Sequence, residues 1–258
     1  MNKYLVNFYH YVHLLQNLIV RDLKVKYRRS VLGFLWSILN PLLMMLVITA
    51  VFQNIFRMNI DNFPIYYLTG SLIFNFMSEA TSLAMTSVLS SASLIKKVYI
   101  PKYIFPLEKC LFAFVNMLFS SVAVIIMFFV LHYKITWMAL LFFVPMIFTL
   151  IFSIGLGLIL SAADVFFRDI GHLYSVWITA WMYLTPVIYP METLTAGMKN
   201  IMKFNPMFYY VDYFRQVVMY NNIPGLNFNL ICFAFSFAFL FLGLLIFKLK
   251  QDKFILYI

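Results

Sequence analysis

The stretch RDLKVKYRRSVLGFLWSILNPLLMMLVITAVFQNIF, Arg21 to Phe56, sets Arg21, Lys24, Lys26, Arg28 and Arg29 directly before an apolar run. From Trp36 to Phe56 there are 21 residues without a formal charge, which at helical rise measure about 32 Å, enough to cross a hydrocarbon core. Lys and Arg collect on the side of a bilayer that is not translocated, so the N-terminus is expected in the cytoplasm. Gly33 precedes the span, and Asn40-Pro41 lies near its start. Proline removes a helical hydrogen bond and bends the axis, and a neighbouring helix must then satisfy the freed group.

The rest of the chain has the same character. Of 258 residues 64% are hydrophobic and 11% charged, with a mean hydropathy of +0.91, which excludes a soluble globular domain. The net charge of +10 flanks apolar runs instead of forming a stripe on a polar domain, so no nucleic-acid partner is implied. Cys110 and Cys232 both lie in apolar runs; they read as packing residues, with no disulfide framework and no metal site. Residues 1–30 form a separate segment. Leu5, Phe8, Val12, Leu15 and Ile19 recur at spacings of three and four, with Lys3, Asn7, His10 and Asn17 opposite, and no cleavage site follows. The pattern fits an amphipathic helix in the cytoplasmic headgroup layer or one packed on a partner chain, and both remain open.

Six spans follow, at about 36–56, 65–89, 111–131, 137–160, 173–189 and 229–247, in one all-α transmembrane domain covering 1–258. The second carries many Ser and Thr with Asn75 and Glu79; the fourth carries Gly155 and Gly157, a pair that brings helices close. In this layout 14 of the 19 Lys and Arg fall inside, and both termini are cytoplasmic. Arg57, Lys134, Lys199, Lys203 and Arg215 fall outside. Trp137, Tyr66, Tyr67 and Tyr189 sit near the outer boundary, Trp36 and Tyr174 near the inner one.

Four places could carry function. In the inner loop Ser90 to Pro106, Leu94, Ile95 and Val98 form a short apolar patch beside Lys96 and Lys97, stopped by Pro101. A second inner loop holds Asp164, Arg168, Asp169 and His172, where pairing of opposite charges is the simplest reading. Toward the outside, TPVIYP (Thr185 to Pro190, with Pro186) and NPMFYYVDYFRQ (Asn205 to Gln216) place Tyr209, Asp212 and Arg215 on one helical face, with Asp212 and Arg215 spaced to pair. Glu79 is the one acid placed well inside a span, where it either lines a wet channel or bonds an adjacent helix. Tyr66, Tyr67, Tyr183 and Tyr209 offer flat rings to a sugar path. No GxxxxGK[ST] loop is present, so this chain has no means to hydrolyse ATP.

The order Tyr27-Arg28-Arg29, Leu32-Gly33-Phe34-Leu35-Trp36 and Pro41-Leu42, the loop SSASLIKKVYIPKYIFP, the segment VFFRDIGH and the outer NP segment together resemble permease subunits of bacterial ABC exporters for O-antigen, teichoic acid or capsular polysaccharide. The resemblance implies a homodimer joined to two ABC ATPase subunits that hold ATP and Mg, exporting a lipid-linked polysaccharide across the cytoplasmic membrane. It also implies that Leu94 to Pro101 is a coupling helix, with Arg168 and Asp169 beside it. Short re-entrant helices between spans five and six would then close the outer mouth. Asn40 departs from the acid or glutamine that such permeases often carry. A drug or lipid exporter permease of the same superfamily, or a polytopic glycosyl or acyl transferase, are the alternatives.

Overall fold

The structure is a computed structural model that describes residues 3–28, 30–54, 60–133 and 136–257, with side chains not described for 3–10 and 54. Arg29, Arg57 and Lys134 therefore lie outside it, as do the side chains of Lys3, Leu5, Phe8, Asn7 and His10. The described residues are helical and contain no strand. In chain order the helices are α1 (Lys3–Lys26), α2 (Trp36–Asn54), α3 (Phe63–Ser90), α4 (Ala92–Ile95), α5 (Ile104–Val130), α6 (Phe143–Phe166), α7 (Ile170–Tyr183), α8 (Ala196–Met202), α9 (Pro206–Val218) and α10 (Leu226–Lys250). Among the described residues, five helical stretches are long and apolar enough to cross a membrane: Gly33–Gln53, Phe63–Ser90, Ile104–Val130, Trp137–Phe166 and Leu226–Leu256.

Helix α3 is the centre of the packing, lying against α2, α5, α6, α7 and α9. Ile73, Met77, Ala80, Ala84 and Val88 recur at spacings of three and four and are fully buried. Small residues let its neighbours approach: a Cβ on Gly157 of α6 would meet the Ala84 methyl at 2.8 Å and the Cys110 sulfur at 3.4 Å. Cys110 and Cys232 are free and buried, as packing residues should be.

Two features of the opening stretch follow from backbone chemistry. Gly33 has φ +51°, a left-handed conformation that suits glycine, and its N–H donates to Ser30 Oγ at 3.1 Å. Helix α2 runs through Pro41, whose missing N–H leaves the carbonyl four residues back without its usual donor. That carbonyl belongs to Ser37, and Ser120 of α5 donates to it at 2.9 Å.

Three boundaries differ from the sequence expectation. Helix α5 starts at Ile104, not after a loop reaching Lys109, because Pro106 falls in the first turn, where no N–H is needed. Glu108 and Lys109 are thereby inside a span-length helix, and Glu79 is not the only such acid. The predicted fifth span is covered by α7 for only part of its length; at 14 residues this helix is about 21 Å long, and the chain from Leu184 to Pro190 is irregular. The segment beyond the last expected span continues as helix to Lys250 and then folds into a 3-10 turn, Gln251–Leu256, with Phe254 fully buried.

Helix α1 does not lie across the bundle. Leu15 and Leu18 are buried in one cluster with Ile100, Ile104 and Phe105; farther along, Asp22 pairs with Lys109, and Tyr27 donates to Asn116 at 3.2 Å. The contacts advance in the same direction along α1 and α5, so the two run side by side. Among the described residues, the apolar face of α1 from Tyr11 to Ile19 packs on its own chain, including Leu94 and Ile95 at the edge of the cluster.

Candidate functional site

The most buried span has one open side, and that side is mostly polar, with Leu83 and Leu89 its half-exposed apolar members. On α3 the exposed or half-exposed positions include Asn75, Ser78, Glu79, Ser82, Thr86 and Ser90, spaced by three and four so that they form one row about 22 Å long. A small niche of mixed lining, with Ser71, Asn75, Glu79 and Ser120 beside Leu72, Phe76 and Met117, continues it by one turn. Lipid cannot satisfy such a row; it must meet water or protein.

Glu79 is not isolated. Its Oε1 accepts from Lys26 Nζ at 2.8 Å and from Asn116 Nδ2 at 3.2 Å, and Tyr27, one residue on, bonds Ser37 at the start of α2. The Lys26 and Glu79 side chains keep 39% and 34% of their surface open in the single chain, so the pair is half-exposed. Sequence spacing gave no sign of the Lys26 partner. One turn back on α1, Asp22 accepts from Lys109 and Arg21. Burial pushes the Asp22 carboxyl up, but the hydrogen bonds and charges of Lys109 and Arg21 outweigh it and the net is downward. A lowered carboxylate stabilises the fold above its unfolded range and loses that contribution as pH falls through the folded value, so thermal stability is expected to drop below about pH 4. Melting curves of the wild type and Asp22→Asn against pH check this; the variant should lack that part of the drop.

At the opposite end, Arg215 of α9 is only 3% exposed. It donates through Nη1 to the Pro186 carbonyl at 2.6 Å and through Nη2 to the carbonyls of Tyr66 and Val187 at 3.0 Å each. Its guanidinium carbon lies 3.5 Å from the centre of the Tyr66 ring. Tyr66 Oη donates to Tyr189 O at 2.9 Å, and Asn205 Nδ2 donates to Leu184 O at 3.0 Å. The irregular backbone beyond α7 is therefore satisfied by α3 and α9. The expected Asp212–Arg215 pair is not what forms: Asp212 accepts from Gln216 at 2.7 Å. Arg215 is an interior residue, not an outer-loop charge.

Tyr66, Pro186 and Arg215 thus come together, but as a packed joint. Tyr66, Tyr67 and Tyr209 are buried, so in this conformation their rings do not face a sugar path; Tyr209 packs on Phe208, Phe228 and Phe235. Tyr183 is exposed. Tyr174, placed by sequence at the inner boundary, is interior and shares a 2.6 Å hydrogen bond with Thr81.

The two loops expected to meet a partner lie at the end of the bundle shared by α4 and the start of α5. Leu94 and Ile95 point inward, while Lys96, Lys97, Val98 and Tyr99 are exposed. Phe167, Arg168 and Asp169 are exposed at the end of α6, whereas Asp164 is buried. Ile95 and Phe166 border one cluster built on Val88, Val165 and Phe254, and Pro101 is half-buried beside it. The C-terminal turn belongs to this platform as well: Lys102 Nζ donates to Gln251 O at 2.6 Å.

Comparison with known proteins agrees with this layout. The chain is 32% identical to the O-antigen export system permease protein RfbA of Myxococcus xanthus, over 84% of each chain. It is 29% identical to a protein of the same name from Klebsiella pneumoniae, over 91% of this chain and 90% of that one. It is 21% identical to the polysialic acid transport protein KpsM of Escherichia coli, over 91% and 92%. Residues 13–220 match the ABC-2 type transporter family. With that match covering most of the chain, including α3 and both exposed loops, the protein belongs to the ABC-2 type transporter family.

Proposed function

We propose that this chain is the membrane-spanning subunit of an ATP-driven exporter that moves a lipid-linked polysaccharide of O-antigen, capsule or teichoic acid type across the cytoplasmic membrane. The polar row on α3 carries the reading. A row of hydroxyl and amide groups along the open side of an otherwise buried span would line a conduit once a second copy covers it by two-fold symmetry. Such groups exchange weak hydrogen bonds with a glycan and give a sliding polymer no strong site at which to stall. The export permeases it resembles support the cargo class. The distribution of Lys and Arg supports cytoplasmic termini and places the Lys96 to Tyr99 tip inside the cell. ATP and Mg would be held by two copies of a separate ATPase subunit, since the sequence carries no phosphate-binding loop. Closure of that subunit would press on the tip and on Phe167 to Asp169. Helix α7, the irregular segment 184–190 and α9 together would complete the fifth crossing and its outer seal.

Reconstituting the purified chain with its ATPase tests this. Replacing Lys96 and Lys97 by Glu, both exposed and free of structural duty, is expected to lower ATP-dependent glycan transport at least about tenfold, as like-charge contacts across an interface cost several kcal/mol. Unchanged transport would remove the coupling assignment.

A further inference from the structure

The row on α3 is met by other elements at one level. Lys26 reaches Glu79 at 2.8 Å, Asn116 of α5 reaches the same oxygen at 3.2 Å, and Tyr27 bonds both Asn116 and Ser37. The end of α1 and the start of α2 therefore converge on Glu79. On one side of it lie Ser82, Thr86 and Ser90, toward the platform with the exposed tip; on the other lies Asn75. The same helix that supplies Lys26 shares its apolar face with Leu94 and Ile95, which root that tip. A rigid helix joins the two places. Its only acid, Asp22, is engaged by Lys109 and Arg21.

We propose that Lys26 is a positioning residue for transport: paired with Glu79, its ammonium holds the end of α1 against the polar row and narrows the conduit there, and release of the pair widens it. This rests on the conduit reading above. A half-exposed ion pair suits the role because it holds with modest energy and can be undone by a small movement of α1.

The test places single cysteines in the full-length chain, whose two native cysteines are buried, in inside-out vesicles containing the ATPase partner. A charged, membrane-impermeant maleimide is added from the cytoplasmic side. Asn75→Cys lies beyond Glu79 from that side and Ser82→Cys before it. Lys26→Gln is expected to raise the ATP-free labelling rate of Asn75→Cys about fivefold, the shift that loss of one such pair delivers, and to leave Ser82→Cys unchanged. Lys26→Arg should label at the wild-type rate, and Lys26→Glu combined with Glu79→Lys should restore it, which a merely structural role for Lys26 would not. If Lys26→Gln does not reach the membrane, the exchanged pair against Lys26→Glu alone makes the same comparison. Equal labelling of Asn75→Cys in wild type and variants overturns the inference and leaves the conduit standing. If Ser82→Cys is also unlabelled, with and without ATP, the conduit reading falls and the inference with it.

Discussion

Arg215→Ala is expected to cost about 3–5 kcal/mol of folding stability, since buried carbonyls left without a donor cost about 1–3 kcal/mol each. The side chain supplies the donors for the carbonyls of Pro186 and Val187, which no helix satisfies because the chain has left helical geometry at Tyr183. It also stacks on Tyr66, and the chain makes room for it at Gly70, where any Cβ would run into the guanidinium. Arg215→Lys keeps the charge but not the planar fork or the stacking, and is expected to lose roughly half as much. Tyr66→Phe removes the hydroxyl's bond to Tyr189 O and its longer one to Pro186 O and should cost about 1 kcal/mol. Thermal unfolding of the detergent-purified variants orders them; an Arg215→Ala protein as stable as wild type would mean that the segment after α7 is held by something else.

The crossing of α6 and α10 is the second sensitive point. A Cβ on Gly155 would fall on the backbone of Phe239 and Leu240, and one on Gly243 would fall on the Gly155 peptide. Backbone cannot step aside as a side chain can, so Gly155→Ala and Gly243→Ala should each cost about 1–3 kcal/mol, the range for overpacking a filled contact, and Gly243→Leu should separate the helices. Gly197, with nothing within 4 Å of its Cβ position, is the control: Gly197→Ala should leave the melting temperature unchanged or slightly raised. Equal melting of all three alanine variants would contradict the close crossing.

The glycine pair shows what was legible in the sequence and what was not. Gly155 and Gly157 stand out in an apolar run because membrane helices approach through small residues, but of their partners Gly243 is a single small residue among large ones and Ala84 is one of many small residues in its helix. Their role appears only when the helices are placed. Pro41 was similarly half-legible: the rule that proline frees the carbonyl four back points to Ser37, and only the packing shows that Ser120 answers it. Pro106 misled, because a proline in the first turn looks the same in sequence as one in a loop. Length misled at the fifth span, where apolar residues continue past the helix end into irregular chain that Arg215 and Asn205 sustain. The pairing of Asp212 with Arg215 followed from local spacing, and tertiary carbonyls won over it. Lys26 and Glu79, 53 residues apart, could not be joined by any local rule. The polar character of the second span was visible throughout, since hydroxyls and an acid in a membrane-length run must face water or protein where lipid cannot solvate them.

The most direct test of the central claim is a cysteine scan of α3 in the assembled exporter with ATP present, read by a charged maleimide that reacts only with thiols in water. Labelling is expected at positions 75, 78, 79, 82 and 86, with none at 73, 77, 80, 84 and 88. Absence of labelling along the whole helix, or labelling without that three-and-four spacing, would contradict a water-filled conduit on this face.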